Sequence, residues 1–300
     1  MTTRRRSYLS LVTLLFLALG CGDKKEEEPT PKPEPAEVKC LLLKEQITFP
    51  APGESLTRTI TFDGDRVTQI SDVLQGQRPT TSTVVYGYNV KGEVISTTLV
   101  DPQGLPLEAF AFEHDANGLV KKVDWYNKKQ NPGSPQLALY ATKEYTYTDK
   151  KLINVKNWLV TGSPRLLLND FNFTYDAKGN VTQVHEYRVL GYIDNNPDNY
   201  NDIVINVTYT YDDKMNPYKE SWYMKYLPTG LFIPGLSQNN IVATTSATTL
   251  EGTKKGPGAN FNTNMYNFTN TTTYAYTDKG RPNTATYSGG SVRTFTYKCE

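Results

Sequence analysis

The stretch FNFTYDAKGNVTQVHEY, Phe171 to Tyr187, constrains the fold of this chain more than any other feature. Phe171, Phe173 and Tyr175 alternate with Asn172 and Thr174, the period of a strand with one face in contact and the other in water. Asp176-Ala177-Lys178-Gly179 then supplies an acceptor side chain to open a type I turn, and a glycine able to take φ > 0 closes it with a bulge. Val181, Val184 and Tyr187 carry the chain back, so the stretch reads as a β-hairpin. The same frame recurs at Tyr88-Asn89-Val90-Lys91-Gly92, His114-Asp115-Ala116-Asn117-Gly118, Tyr147-Thr148-Asp149-Lys150-Lys151, Tyr211-Asp212-Asp213-Lys214-Met215 and Tyr276-Thr277-Asp278-Lys279-Gly280. Phe62-Asp63-Gly64-Asp65-Arg66 is a shorter version. Lys151 and Met215 stand in the glycine slot, where a side chain at φ > 0 costs energy, so those two turns are expected to differ in geometry.

A chain of 300 residues with 21 tyrosines, and almost no sustained helical periodicity beyond residue 40, predicts antiparallel β structure almost throughout. The expected fold is all-β: an antiparallel hairpin-repeat meander of roughly 15 strands over residues 39–300, soluble, forming one large curled or self-packed sheet. An outer-membrane barrel is the structural rival. Lys121 and Lys122 are adjacent in a predicted strand, so one of them would face lipid at ~2 to 4 kcal/mol near the midplane, and Lys143 beside Glu144 repeats the objection. A simple barrel of so many strands would also leave a wide, wet lumen lined by rings.

Arg4-Arg5-Arg6, the apolar run Leu9 to Leu19, and Ala18-Leu19-Gly20-Cys21 resemble a bacterial lipoprotein signal and lipobox. The resemblance implies removal of residues 1–20, a diacylglyceryl group on the Cys21 thiol and an acylated new amino terminus, palmitate among the usual chains. Several chains anchor far more firmly than one. Removal takes away three arginines and no acid, leaving 29 basic against 31 acidic residues, a net of −2 that implies no nucleic-acid partner. Gly22-Asp23-Lys24-Lys25-Glu26-Glu27-Glu28 is similar to the acidic export tag of surface lipoproteins in the Bacteroidetes, and reads equally as a solvated charged tether. Pro29, Pro31, Pro33 and Pro35 favour a stiff polyproline II spacer, so residues 21–38 form a charged, proline-rich tether. The implied address is the outer membrane, on its periplasmic or cell-surface face.

With Cys21 lipidated, Cys40 and Cys299 remain at the two ends of the folded region, in an oxidising compartment. A disulfide between them is expected, two unpaired buried thiols being the alternative, and the bond requires the sheet to curl until its ends meet. His114 fills the slot that tyrosine holds in other repeats, a structural role. His185 and Glu186 are neighbours on a strand and point to opposite faces, so they do not make a base and its orienter. No nucleophile motif, HExxH or phosphate loop is present, and no catalytic residue, cofactor or metal site is assigned. Asp194, Asn196, Asp198, Tyr200 and Asp202 superficially resemble the first ligands of a calcium loop. Ile205 and Asn199 occupy the places of its glutamate and glycine, and a polar hairpin tip explains the run.

Trp125, Trp158 and Trp222 each fall eleven residues after a frame ring, at His114, Tyr147 and Tyr211. Stacked on successive strands they would form a platform for sugar faces; cross-strand packing in a core is the plainer alternative. The pattern aromatic-x-Tyr-Asp-x-x-Gly-x-Val, closest at FTYDAKGNV, resembles YD repeats of the Rhs type. In that family such repeats build a long curling antiparallel sheet, in its largest members a shell around a toxin. The frame spacing here is irregular, and no separate cargo region follows. Anchor, spacer and repetitive sheet together indicate a displayed binding or scaffolding module for glycans or an envelope partner protein. A purely structural envelope component and an undetected hydrolase are the rivals.

Overall fold

The computed structural model describes residues 39–128, 136–160, 164–192, 200–219, 233–249 and 263–299. They form 16 strands: β1 Cys40–Thr48, β2 Ser55–Asp63, β3 Arg66–Gln75, β4 Thr80–Tyr88, β5 Val94–Val100, β6 Pro106–His114, β7 Val120–Asn127, β8 Ala138–Thr148, β9 Lys151–Leu159, β10 Leu166–Tyr175, β11 Val181–Tyr192, β12 Tyr200–Met215, β13 Asn239–Thr249, β14 Phe268–Tyr276, β15 Pro282–Tyr287 and β16 Val292–Cys299. Each pairs antiparallel with its sequence neighbour, and β1 pairs with β16, so the sheet is a closed barrel. This corrects the expectation of an open, curled or self-packed sheet. Closure follows from the last pairing, which runs from Cys40↔Cys299 to Thr48↔Val292 and leaves no strand edge unpaired. Cys40 and Cys299 are joined by a disulfide across this seam.

Four of the frames make the turn that their residues dictate. Gly92, Gly118, Gly179 and Gly280 sit at φ of 81°, 77°, 87° and 71°. Their amides donate to the carbonyls of Asn89, Asp115, Asp176 and Thr277. Asp115 Oδ1 accepts from the amides of Asn117 and Leu119 at 2.8 and 2.9 Å, which holds the turn shut. The frame ending in Lys151 instead closes over two residues, Asp149 and Lys150, both at positive φ (49° and 63°), with Thr148 paired to Lys151. At Met215 there is no hairpin: β12 runs on to Met215, which pairs with Asn239 across a long connection.

The frame tyrosines complete the sheet where its ladders stop short. Pairing of β3 with β4 begins at Gln69, of β7 with β8 at Lys122, of β9 with β10 at Asn154 and of β11 with β12 at Gln183. The carbonyls of Val67, Val120, Leu152 and Val181 lie beyond those limits. They accept instead from the hydroxyls of Tyr88 (2.6 Å), Tyr147 (2.9 Å), Tyr175 (2.8 Å) and Tyr211 (2.5 Å). A buried carbonyl must find a donor, and the tyrosine of the next outgoing strand provides it.

Because the chain alternates direction, the frame turns, the disulfide and the β12–β13 connection share one rim, and the β1–β2, β3–β4 and β5–β6 connections lie at the other. Leu42, Ile60, Ile70, Val84, Phe110, Val123, Ala285 and Phe295 face inward and form one apolar cluster that also takes in Tyr218 from the β12–β13 connection. The lumen is therefore filled at this level, which removes the objection to a wide wet interior. Outward, strand after strand shows exposed threonine: Thr59, Thr61, Thr208, Thr210, Thr245, Thr271, Thr273, Thr294 and Thr296. Lys121 and Lys122 both face outward, because a bulge opposite Glu113 and His114 adds a residue there. Lys121 pairs with Glu113 at 2.7 Å and Lys122 with Asp124 at 2.9 Å. A membrane barrel needs an apolar outer band about 25 Å tall. Among the described residues, exposed threonine and paired lysines occupy positions on the outer wall.

Candidate functional site

The inward side chains nearer the rim opposite the frame turns enclose a cavity of about 670 Å³, open to solvent. Strands β2 to β11 line it. On one wall Arg58 grips Asp72 through two nitrogens, at 2.8 and 2.7 Å. Arg58 also approaches Glu45 at 3.5 Å. Burial alone would lower the Arg58 pKa; Asp72 and Glu45 outweigh it and raise it, so this guanidinium stays charged. On the facing wall Arg188 holds Glu186 the same way, at 2.6 and 2.9 Å. Glu186 accepts from Asn169 at 2.7 Å, and Asn157 reaches Asn169 at 3.4 Å. Between the two walls stand Glu108, Trp125 and Lys143, with Leu99, Val155 and Phe171 as apolar lining.

Beyond Glu45 a plug enters the lumen, beside a second cavity of about 340 Å³ lined in part by Tyr218, Arg293 and Phe295. Asn216-Pro217-Tyr218 enters from the β12–β13 connection and buries Tyr218 to 4% exposure. Its hydroxyl donates to Glu45, itself 1% exposed, and receives a hydrogen bond from Arg293. Arg293 also contacts Glu45 at 3.3 Å. Burial, then the charge of Glu45, hold the Tyr218 pKa well above its ordinary value, so the hydroxyl remains a donor. Asn216 Oδ1 accepts from the Tyr218 amide at 2.9 Å, which fixes the inserted turn. Two arginines are thus balanced by Glu45 and Asp72, as buried charges must be. This plug packs with the rings of Phe110 and Phe295 in the apolar cluster inside the barrel.

Of the three tryptophans, the two among the described residues lie on opposite faces of the sheet. Trp125 faces the lumen, stacked on Phe110 at 5.8 Å with Tyr140 edge-on at 4.9 Å. Trp158 faces outward, donating through Nε1 to Glu144 at 2.9 Å under the Arg165 guanidinium, which lies 4.2 Å from its ring centroid. The two-residue turn before β9 is shorter than the turn before β7, so the same count of residues lands on the opposite face. Trp222 lies outside the described residues, as do Cys21, Asp194, Asn196 and Asp198. Asp202 is buried and accepts from the Tyr187 hydroxyl at 2.9 Å. His185 lies exposed on the outer face with Nδ1 2.9 Å from Asn206 Oδ1, and Glu186 points into the cavity. The cavity residues Arg58, Lys143, Asn157 and Arg188 escaped the sequence reading because no motif joins them; only closure of the sheet brings β2 opposite β11.

Neither a protein-family model nor a curated protein sequence matches the chain. Solved structures similar in fold include two porin-like proteins. A porin-like protein from Bacteroides uniformis aligns at 12% identity and a TM-score of 0.50, over 86% of this chain and 98% of its own. A porin-like protein from Bacteroides vulgatus aligns at 10% identity and a TM-score of 0.50, over 87% of this chain and 99% of its own. The likeness is one of barrel architecture.

Proposed function

We propose that this chain is a lipid-anchored envelope protein whose barrel stands in water and binds a small polar ligand, of saccharide type, in its lumen. The observation that carries the reading is the cavity of about 670 Å³, lined by side chains of both charges together with Trp125 and Phe171. Its size falls within the range of about 300–1,000 Å³ common for ligand sites, and its mixture of rings, amides and paired charges suits a polyhydroxylated molecule with an apolar face. The inserted plug argues against conduction. Anchoring through Cys21 in the outer membrane rests on the signal-like start of the chain and fits an outer wall of threonine and charge.

Protein carrying Trp158→Phe and Trp222→Phe, with Trp125 as sole reporter, is titrated with a panel of neutral and acidic disaccharides. The expected result is a saturable change in Trp125 emission that disappears when Ser82→Phe fills the cavity. No saturable change with any sugar, or binding that survives Ser82→Phe, refutes the luminal site. Labelling of cells with a palmitate analogue should mark the parent and not Cys21→Ser; equal labelling refutes the anchor at this residue. Protease shaving of intact cells then distinguishes the surface from the periplasm.

A further inference from the structure

Among the described residues lining the cavity are three cations, and two of them are met: Arg58 by Asp72 and Arg188 by Glu186. Lys143 is not. It projects inward from β8 between Val123 and Asn157, and no described carboxylate lies within salt-bridge distance of its ammonium. Glu108, also lining the cavity, acts on it only at longer range, and burial lowers its pKa. A buried ammonium without a counter-charge is costly. Two further groups in the same cavity lack partners: Trp125 Nε1, a donor, and Asn157 Oδ1, an acceptor. Lys143, Trp125 and Asn157, which carry this cation, lone N–H and lone carbonyl, all line the one cavity.

The geometry points to a carboxylated sugar as the ligand, its carboxylate on Lys143, a ring or hydroxyl oxygen accepting from Trp125 Nε1 and a hydroxyl donating to Asn157 Oδ1. This inference rests on the luminal site proposed above and specifies the charge of its occupant. A monoanion fits better than a phosphate dianion, because Asp72, Glu108 and Glu186 share the cavity and repel surplus negative charge. A carboxylate on an ammonium makes a charge-assisted hydrogen bond, and such bonds are roughly twice as strong as neutral ones.

The test uses the full chain and matched probes: galacturonate and glucuronate disaccharides and their methyl esters, which keep the shape and lose the charge. Calorimetric titration should show the acids binding at least about tenfold more tightly than their esters. Lys143→Met should erase that preference, so that acid and ester bind alike, and Lys143→Arg should retain part of it. Thermal unfolding of each variant, compared with the parent, confirms that the fold persists. Equal affinity of the parent for acid and ester, or a preference that survives Lys143→Met, overturns the assignment of a carboxylate and leaves luminal binding of neutral sugars standing. Failure of the parent to bind acid or ester overturns the inference, and with no neutral sugar bound either the luminal site falls as well.

Discussion

Replacing Glu45 by methionine isolates what holds the plug in the barrel. Glu45 is 1% exposed and receives Tyr218, Arg293 and Arg58 together. Without it Arg58 keeps Asp72, whereas Arg293 keeps the Tyr218 hydroxyl and the face of the Tyr287 ring but no described carboxylate, so one buried guanidinium loses its counter-charge. Removing one partner of a buried ion pair costs about 3–5 kcal/mol. At about 2–4 °C per kcal/mol for a domain of this size class, Tm should fall by roughly 6–20 °C. The paired variant Glu45→Met with Arg293→Met removes both charges and leaves the Tyr218 hydroxyl as the one unmet group, worth about 1–3 kcal/mol. Differential scanning calorimetry of the two variants should therefore show the double variant recovering much of what the single one lost. A single variant that melts within about 3 °C of the parent would show that Glu45 carries no such load. A double variant no more stable than the single would refute the argument that charge imbalance causes the loss.

Tyr175→Phe leaves the Leu152 carbonyl without its donor, so stability in urea should fall by about 1–1.5 kcal/mol, while Thr174→Ala on the outer face changes it by under ~0.5 kcal/mol. Reduction of Cys40–Cys299, 259 residues apart, should lower stability by up to about 5 kcal/mol in the chain-entropy limit, yet near-ultraviolet dichroism should persist because β1 and β16 remain paired along the seam. Burial pushes the hydroxyls of Tyr88, Tyr175 and Tyr211 up to about 12, against an ordinary value near 10. Folded tyrosines then hold their protons longer than unfolded ones, so their contribution is complete below about pH 10 and is lost as pH rises from there through 12. Tyrosinate absorbance should climb together with loss of structure in that window; full titration near pH 10 with the fold intact would contradict it.

Local chemistry settled the hairpins before any tertiary contact. Asp176 and Gly179 dictate their turn because one side chain must accept amides and one backbone must take positive φ, and both demands are met within four residues. The absence of glycine at Lys151 and Met215 announced, for the same reason, that those two connections would differ. What remained illegible depends on residues far apart in the chain. Pairing of β1 with β16 turned a meander into a barrel, and it needs the accumulated tilt and stagger of sixteen strands, which no single repeat encodes. The face of Trp158 hung on one residue of turn length, since a strand has period two and a single step exchanges lumen for solvent. Tyr218 lies 173 residues from Glu45, and the cavity draws Arg58 and Arg188 from strands that only closure sets opposite one another. The turns were written in the sequence because their hydrogen bonds close within a few residues; the plug and the cavity belong to the tertiary structure because theirs cross the lumen.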